Sequence, residues 1–316
     1  MKKLISVVVP MYFEEKVVNE CYKRLTEVMS SFENYNYEII FVNDGSTDGT
    51  LPALKEFAKE DKNIKVIDFA RNFGHQIAVT AGIKEAKGEA VVVIDADLQD
   101  PPELIIQMVE NWENGYDVVY AKRKKRDGET FFKLLTAKYF YKFLDFMSDV
   151  DIPKNTGDYR LMDRKVVDVF NSMGEKNRFV RGMVSWLGFN QTYVEFDRAE
   201  RFAGESKYPL KKMLKLAEDG IISFSHKPIN IISGLSIIFF VVFGIQIIWM
   251  IVEGIIKHSI TNLIVLSTYI SFVTAIILGV ISILGKYIIR MFDEVNKRPL
   301  YIIRDKINFE EDKNSI

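Results

Sequence analysis

Asp95 and Asp97 stand two positions apart, Gln99 follows at the same interval, and Asp100 lies beside it. Oxygens in this pattern can offer hard ligands to Mg²⁺ or Mn²⁺, cations that share their coordination shell with substrate phosphates. A polar turn after a core strand would carry the same residues, because D-x-D alone is common. The elements around the triplet sharpen the choice. Val91-Val92-Val93-Ile94 is a β-branched run that predicts a strand buried on both faces, with the carboxylates at its C-terminal lip. Pro101-Pro102 then predicts a helix start, since Pro is pre-organised for the first turn and needs no N–H partner there.

Three earlier strands lead to the same kind of lip. Leu4–Val9 is closed by Pro10 and followed by Tyr12, Phe13, Glu14 and Glu15, with a helix to about Ser31. Tyr37–Val42 ends in Asn43-Asp44-Gly45-Ser46-Thr47-Asp48-Gly49-Thr50, before a helix over Leu51–Glu60. Ile64–Phe69 ends in Ala70-Arg71-Asn72-Phe73-Gly74-His75, before a helix over Gln76–Ala86. Alternating strands and helices make a parallel α/β sheet, and such sheets bind ligands outside the carboxyl ends of their strands. Asp44 could accept a hydrogen bond from a nucleobase N–H, Tyr12 could supply an aromatic face, and Asp95 could reach a ribose hydroxyl. Neither G-x-G-x-x-G nor a Walker A sequence is present, so no glycine loop cradles phosphates. A divalent ion on Asp97 would neutralise them instead.

Further along, Val118–Ala121 predicts a strand that delivers Lys122, Arg123, Lys124, Lys125 and Arg126 to the rim. A helix over Thr130–Met147 is crowded with aromatics and interleaved with Lys133 and Lys138, which suits core packing or a lipid interface. Asp158, between Gly157 and Tyr159, is expected in a turn ahead of a helix over Lys165–Ser172. As a bare residue it would cap that helix or pair with Arg160 or Arg164.

A net charge of −1 over 316 residues removes any case for bulk nucleic-acid binding. Cys21 is the only cysteine, which excludes an intrachain disulfide, and its helical spacing with Val17, Val18, Leu25, Val28 and Met29 makes it a core thiol. The apolar-leaning stretch before Pro10 is too short for a signal peptide. Charge is distributed unevenly: Ile231–Val252 and Ser259–Gly285 contain no charged residue. Each run exceeds the roughly 20 residues that cross a ~30 Å hydrocarbon core, so the pair predicts a transmembrane hairpin. Lys211, Lys212, Lys215 and Lys227 precede it, Lys286, Arg290, Lys297, Arg298 and Arg304 follow it, and the connection holds Lys257 and His258 against Glu253. That asymmetry places both flanks in the cytoplasm. The expected domains are a cytoplasmic domain over 1–209, a juxtamembrane amphipathic helix over 210–228, two spans within 229–290 (about 231–252 and 261–285) and a cytoplasmic tail over 291–316, polar and frayed after Asp305.

Pro10-x-Tyr12-x-Glu14-Glu15, Val42-Asn43-Asp44-Gly45-Ser46-x-Asp48-Gly49-Thr50, Arg71-Asn72-Phe73-Gly74-His75 and Asp95-Ala96-Asp97-Leu98-Gln99-Asp100-Pro101-Pro102-Glu103 together resemble the polyisoprenyl-phosphate glycosyltransferases. The likeness continues through Gly157–Arg164, Asn177–Gly182, Arg201–Tyr208 and the two apolar runs, and so spans nearly the whole chain. It departs at Phe13, where the family usually has Asn. The resemblance implies a Rossmann-like A-type domain and a membrane enzyme. Such an enzyme moves a hexose, glucose by this likeness, from a nucleotide sugar such as a UDP-sugar to polyprenyl (undecaprenyl) phosphate with inversion. The product would be a lipid-linked sugar for cell-envelope glycosylation. It implies donor and metal contacts from Pro10, Tyr12, Glu14, Asp44, Arg71, Asp95, Ala96, Asp97 and Gln99, with Mg²⁺ or Mn²⁺ on Asp97 and Gln99. Arg123 and Lys133 would hold the lipid phosphate, and Arg201 and Lys207 would close over the diphosphate. Asp158 would sit beside the anomeric carbon as a base or as a positioning group, since a lipid phosphate is already anionic. A homo-oligomer is compatible with this reading. A processive polysaccharide synthase would carry Q-x-x-R-W, which Arg181-Gly182-Met183-Val184-Ser185-Trp186 does not match; a non-enzymatic nucleotide-sugar scaffold would show a damaged metal triplet, whereas Asp95, Asp97 and Gln99 are intact.

Overall fold

A computed structural model describes residues 2–124, 156–197, 263–295 and 298–309. Lys133, Arg201, Lys207, the helices expected at 130–147 and 210–222 and the first apolar run lie outside the described residues. The chain divides into two units. The larger takes in the N-terminal residues and returns at Pro299; the smaller contains 218–298.

The larger unit is an α/β layer structure built on one mixed sheet. Strands β1 (Lys3–Met11), β2 (Tyr35–Asn43), β3 (Ile64–Phe69) and β4 (Ala90–Val93) pair in parallel in the order β4-β1-β2-β3, as the alternation predicts. Helices α1 (Val18–Ser30), α2 (Thr50–Glu60) and α3 (His75–Glu85) make the crossovers between them. From Ile5 to Met11, β1 is fully buried, which suits an unbroken apolar run at the centre of a covered parallel sheet. Cys21 is a core thiol, pushed up to about 12 by burial.

After β4 the chain forms α4 (Leu104–Glu113) and β5 (Val118–Arg123), and then β6 (Thr156–Asp163), antiparallel to both β4 and β5. Two short helices, α5 (Arg164–Ser172) and α6 (Val180–Trp186), precede β7 (Gln191–Phe196), which lies parallel to β5 at one edge. Asp158 is thus not in a turn but inside β6. The polar residues Asp158 and Arg160 occupy buried positions of this strand and interrupt its apolar pattern, which hid it in the sequence. The other correction is at the C-terminus. β8 (Ile303–Ile307) runs two residues past Asp305 into the segment expected to fray, antiparallel to β3 at the opposite edge, giving the order β7-β5-β6-β4-β1-β2-β3-β8. Asn308 follows with φ 62° and donates through its amide to the carbonyls of Ala58 and Ile64.

The smaller unit contributes α7 (Leu263–Val295), a 33-residue helix with no charged residue before Lys286. Leu266, Ile270, Ile277, Ile281, Leu284 and Ile288 are exposed along it. Among the described residues no helix is long and apolar enough to cross a membrane. The apolar, uncharged character of Leu263–Gly285 is nonetheless a property of its sequence.

Candidate active site

The carboxyl ends of β1 to β4 share one rim, and buried carboxylates build the loops there. Asp44 follows β2 and is 2% exposed. Its Oδ1 accepts from the Phe73 N–H at 2.7 Å, and its Oδ2 accepts from the Gly74 N–H and the Asn72 amide, both at 2.9 Å. Burial raises its pKa, and the bonds from Phe73 and Gly74 oppose that rise. Asp44 therefore folds the loop after β3, which leaves its remaining lone pairs for a base. Gly45 is needed beside it. With φ 71°, a Cβ there would stand 2.5 Å from the Arg71 carbonyl carbon. Gly74, at φ 103° and ψ 152°, occupies a region open essentially only to glycine and turns the chain into α3.

That turn aims His75 and Gln76 at Asp158. His75 Nε2 lies 3.1 Å from Asp158 Oδ2 and 3.5 Å from Asp95 Oδ1. The Gln76 amide donates to Asp158 Oδ2 at 3.1 Å, while its oxygen accepts from the Val180 N–H at 3.0 Å. From α6, Arg181 donates through Nε to Asp158 Oδ1 at 2.8 Å and through Nη2 to Oδ2 at 3.3 Å. Arg160, wholly buried, donates to the main-chain oxygens of Asp158 and Gly157. Burial would raise the Asp158 pKa, but the charges of Arg181 and His75 outweigh it and hold the carboxyl well below its ordinary value. Burial alone would lower the His75 pKa; the hydrogen bond to Asp158 and the charges of Asp95 and Asp158 raise it instead, to about 9. At neutral pH the centre is a carboxylate clasped by an imidazolium and a guanidinium.

The D-x-D turn lies next to it. Asp95 Oδ1 is buried and accepts no hydrogen bond, and burial with three neighbouring carboxylates outweighs the charge of His75 and pushes its pKa up to about 6. Leu98 sits in the left-handed region at φ 56°, and the Gln99 N–H donates to Asp97 Oδ1 at 3.2 Å. Tyr159, fully buried, donates from its hydroxyl to the Pro101 carbonyl at 3.1 Å and fixes the following turn. A carboxylate oxygen that accepts no hydrogen bond, among hard oxygen donors, fits a divalent cation shared by Asp95, Asp97 and Gln99. Among the described residues no ready-made cluster of three acidic, His or Cys ligands is present, so the substrate would complete the shell.

The other expected site residues occupy the rim in different ways. Pro10 does not close β1 but lies within it, in register with Val42, and the strand runs on to Met11; Ala96 is buried between the two aspartates. Tyr12 and Phe13 are exposed and meet edge to face, with centroids 4.5 Å apart. Phe13 has φ 55°, a backbone that Asn adopts readily and Phe does not, which gives the departure at this position a physical meaning. The Glu14 N–H donates to Thr50 Oγ1 and its carbonyl starts α1. Arg71 lays its guanidinium 4.0 Å from the Phe73 ring centroid. Arg123 pairs with buried Asp100 at 3.2 Å, and a Cβ on Gly157 would stand 3.2 Å from its Nη2. The pairing of Asp158 with Arg160 that the sequence offered is present, with Nη2 3.5 Å from Oδ1. His75, Gln76 and Arg181 were missed as site residues; the Gly74–His75 step, a glycine that delivers a histidine to a helix start, was a signal for the first two.

Comparison with known proteins gives this site its family. The chain is 54% identical over 312 residues to the uncharacterized glycosyltransferase YkcC of Bacillus subtilis (strain 168), covering 96% of this chain and 94% of that protein. It is 40% identical over 301 residues to the prophage bactoprenol glucosyl transferase homolog of Escherichia coli (strain K12), covering 95% and 98%. It is 38% identical over 301 residues to the SfII prophage-derived bactoprenol glucosyl transferase of Shigella flexneri, covering 95% and 97%. The fold resembles that of mannosyl-3-phosphoglycerate synthase from Rubrobacter xylanophilus, with a TM-score of 0.50 at 16% identity over 69% of this chain and 71% of the other. Residues 6–170 match the model described as glycosyl transferase family 2, and the chain belongs to that family.

Proposed function

We propose that this glycosyltransferase moves a glucosyl group from UDP-glucose to polyprenyl phosphate, with inversion at the anomeric carbon. The relatives named as bactoprenol glucosyl transferases support the acceptor, since the likeness covers the rim residues and the apolar runs alike. The observation that carries the reading is the centre built on Asp158, where a buried carboxylate holds His75, Arg181 and Arg160 beside Asp95. Such a centre suits an anionic nucleophile. The phosphate oxygen attacks C1, the C1–oxygen bond to the nucleoside diphosphate breaks, and its electron pair leaves with the diphosphate. A phosphate dianion needs no base for this, so Asp158 serves by fixing His75 and Arg181, which offset charge near the reacting atoms. Asp44 and Arg71 line the donor side, and Arg123 lies toward the acceptor. When bound, a divalent cation on Asp95, Asp97 and Gln99 would supply positive charge to the diphosphate.

The apolar runs Ile231–Val252 and Ser259–Gly285 then form a hairpin in the cell membrane, with the catalytic domain on the cytoplasmic side. This keeps the enzyme beside a substrate that stays in the bilayer. Incubation of membranes containing the protein with a panel of labelled nucleotide sugars, followed by lipid extraction, tests the reaction. Label from UDP-glucose should enter the lipid phase only with polyprenyl phosphate present. Exclusive labelling from another nucleotide sugar would overturn the donor, and label appearing in a water-soluble polymer would overturn the acceptor.

A further inference from the structure

The strand that follows α7 is hydrogen-bonded to the loop of the donor side. β8 continues β3 on its outer edge, and the pairing runs one residue past the strand: the Ala70 N–H donates to the Ile302 carbonyl at 2.9 Å. Arg304 Nη2 donates to the Ala70 carbonyl at 2.8 Å. Both main-chain groups of Ala70, the residue before Arg71, are thus held by the C-terminal segment. Arg304 Nη1 also lies 3.6 Å from the carboxylate of Asp68, which is 1% exposed and accepts from the Asn43 amide at 2.8 Å. Asn43 in turn accepts from the Ser46 N–H, and Ser46 Oγ accepts from the Phe13 N–H at 3.1 Å.

Aromatic packing runs alongside these bonds. Tyr301 stacks on buried Phe69 with centroids 5.1 Å apart and planes at 18°. Phe69 meets Phe73 edge to face at 5.6 Å, and Phe73 carries the Arg71 guanidinium on its ring. A contiguous column therefore joins Tyr301 to Arg71 across 230 positions of sequence. Fold stability alone would ask β8 only to cover the edge of β3, a task that the Val66–Ile307 end of the ladder performs as well.

We propose that Tyr301 and Arg304 are positioning residues for the nucleotide-sugar donor, holding the Ala70–His75 loop so that Arg71 faces the diphosphate. The inference rests on the donor reading given above. It also makes the donor loop continuous in sequence with α7, since only residues 296–302 separate that helix from β8. A membrane-embedded α7 and an ordered donor loop are then properties of one stretch of chain.

Steady-state transfer by the full-length protein in detergent, with UDP binding by calorimetry, tests this. Tyr301→Ala should raise the KM for the nucleotide sugar by roughly three- to tenfold, as expected for a lost ring contact, and weaken UDP to the same extent. The KM for polyprenyl phosphate should stay within about twofold, a margin well inside a single contact's effect. Tyr301→Phe keeps the ring and should behave as wild type. Arg304→Gln should follow Tyr301→Ala, while Arg304→Lys, which keeps the charge near Asp68 but loses the bond to Ala70, should fall between. Ile307→Ala is the control, because it weakens the far end of the same strand: it should lower Tm and leave the donor KM unchanged. If Tyr301→Ala and Ile307→Ala lower Tm alike and neither moves the donor KM or UDP affinity, β8 is structural only and the proposal is overturned. Absence of transfer by the wild type would overturn the donor reading instead, while UDP calorimetry on the same variants would still decide the role of Tyr301.

Discussion

Replacing Asp158 by Asn separates a base from a clamp. The substitution keeps the shape and removes the charge that faces Arg181 at 2.8 Å and His75 at 3.1 Å. Breaking a fully buried pair costs about 3–5 kcal/mol, because a charge is left unpaired in a poor solvent. Here Arg181 and His75 keep 29% and 28% of their side-chain surface and water reaches them, but Arg160, 3.5 Å from Asp158 Oδ1, is fully buried and gains no such relief. The cost should therefore stay at about 3 kcal/mol, enough to lower Tm in a domain of ordinary stability. If Asp158 acts by fixing the two cations, kcat should fall by about 10²-fold as they move out of register. Arg181→Ala should cause a similar fall, and the double variant should lose far less than the product of the two, because each single change already disrupts the same unit. The assay is the pH dependence of kcat/KM for lipid-linked sugar formation between pH 5 and 9. Arg181 and His75 hold the Asp158 carboxyl well below its ordinary value against the opposing effect of burial, so no limb in that range should belong to it. Asp95, raised to about 6 in part by the Asp158 charge, accounts for an acid limb that moves down in Asp158→Asn; losses in the double variant that equal the product of the single losses would refute the clamp and restore the base.

Three further outcomes follow from the same geometry. Asp97→Asn should lower transfer by roughly 10²- to 10³-fold even at saturating Mg²⁺ or Mn²⁺, the several kcal/mol that a catalytic cation supplies; near-normal turnover would remove the metal from Asp97. Phe13→Asn should stabilise the protein by about 1 kcal/mol in denaturant unfolding, since Asn accepts the left-handed backbone that Phe13 is forced into; unchanged or lower stability would show that the ring contributes more than the strain costs. His75 is raised from 6.5 to about 9, with its bond to Asp158 and two carboxylate charges outweighing burial. The stability it adds is complete below pH 6.5 and is lost as pH rises through 9, so wild type minus His75→Gln should shrink across that window by at most about 3 kcal/mol; a difference independent of pH would mean that the ring is neutral in the folded protein.

The parallel half of the sheet could be read directly, because β1 to β4 are apolar runs set between helices of regular spacing and each ends in a polar turn. The rest depended on contacts that local pattern does not encode. β6 was hidden because it buries Asp158 and Arg160, residues that argue against a core strand until the partners that neutralise them are known. β8 was hidden for a related reason: Arg304, Asp305 and Lys306 make it look like a polar tail. Their partners Asp68, Lys55 and Glu85 lie more than 200 positions away. The turns at Asp44 and Asp95 were placed on the correct rim by strand ends alone. What each carboxylate does there was not accessible, since only distances show that Asp44 organises a loop while Asp95 keeps an oxygen that accepts no hydrogen bond.

Those commitments bear on how a diphosphate is neutralised. Arg181, His75 and Arg160 are engaged by Asp158, Arg160 also donating to main-chain oxygens, and Arg123 lies against Asp100. Redirecting any of them to the donor would strand a buried carboxylate, a loss comparable to the gain. Arg71 is different: it is exposed and supported by Phe73, with its Nη1 on the Asn72 carbonyl, and no carboxylate must be abandoned for it to turn to a phosphate. One guanidinium cannot match a nucleoside diphosphate whose charge grows as the sugar departs. On the proposed reading, a cation at Asp95 and Asp97 and the side chains of Arg201 and Lys207, which lie outside the described residues, would supply the balance. Asp95 already faces His75 at 3.5 Å, yet burial and its acidic neighbours outweigh that charge and raise its pKa, so further positive charge at this turn would relieve repulsion that His75 leaves uncompensated.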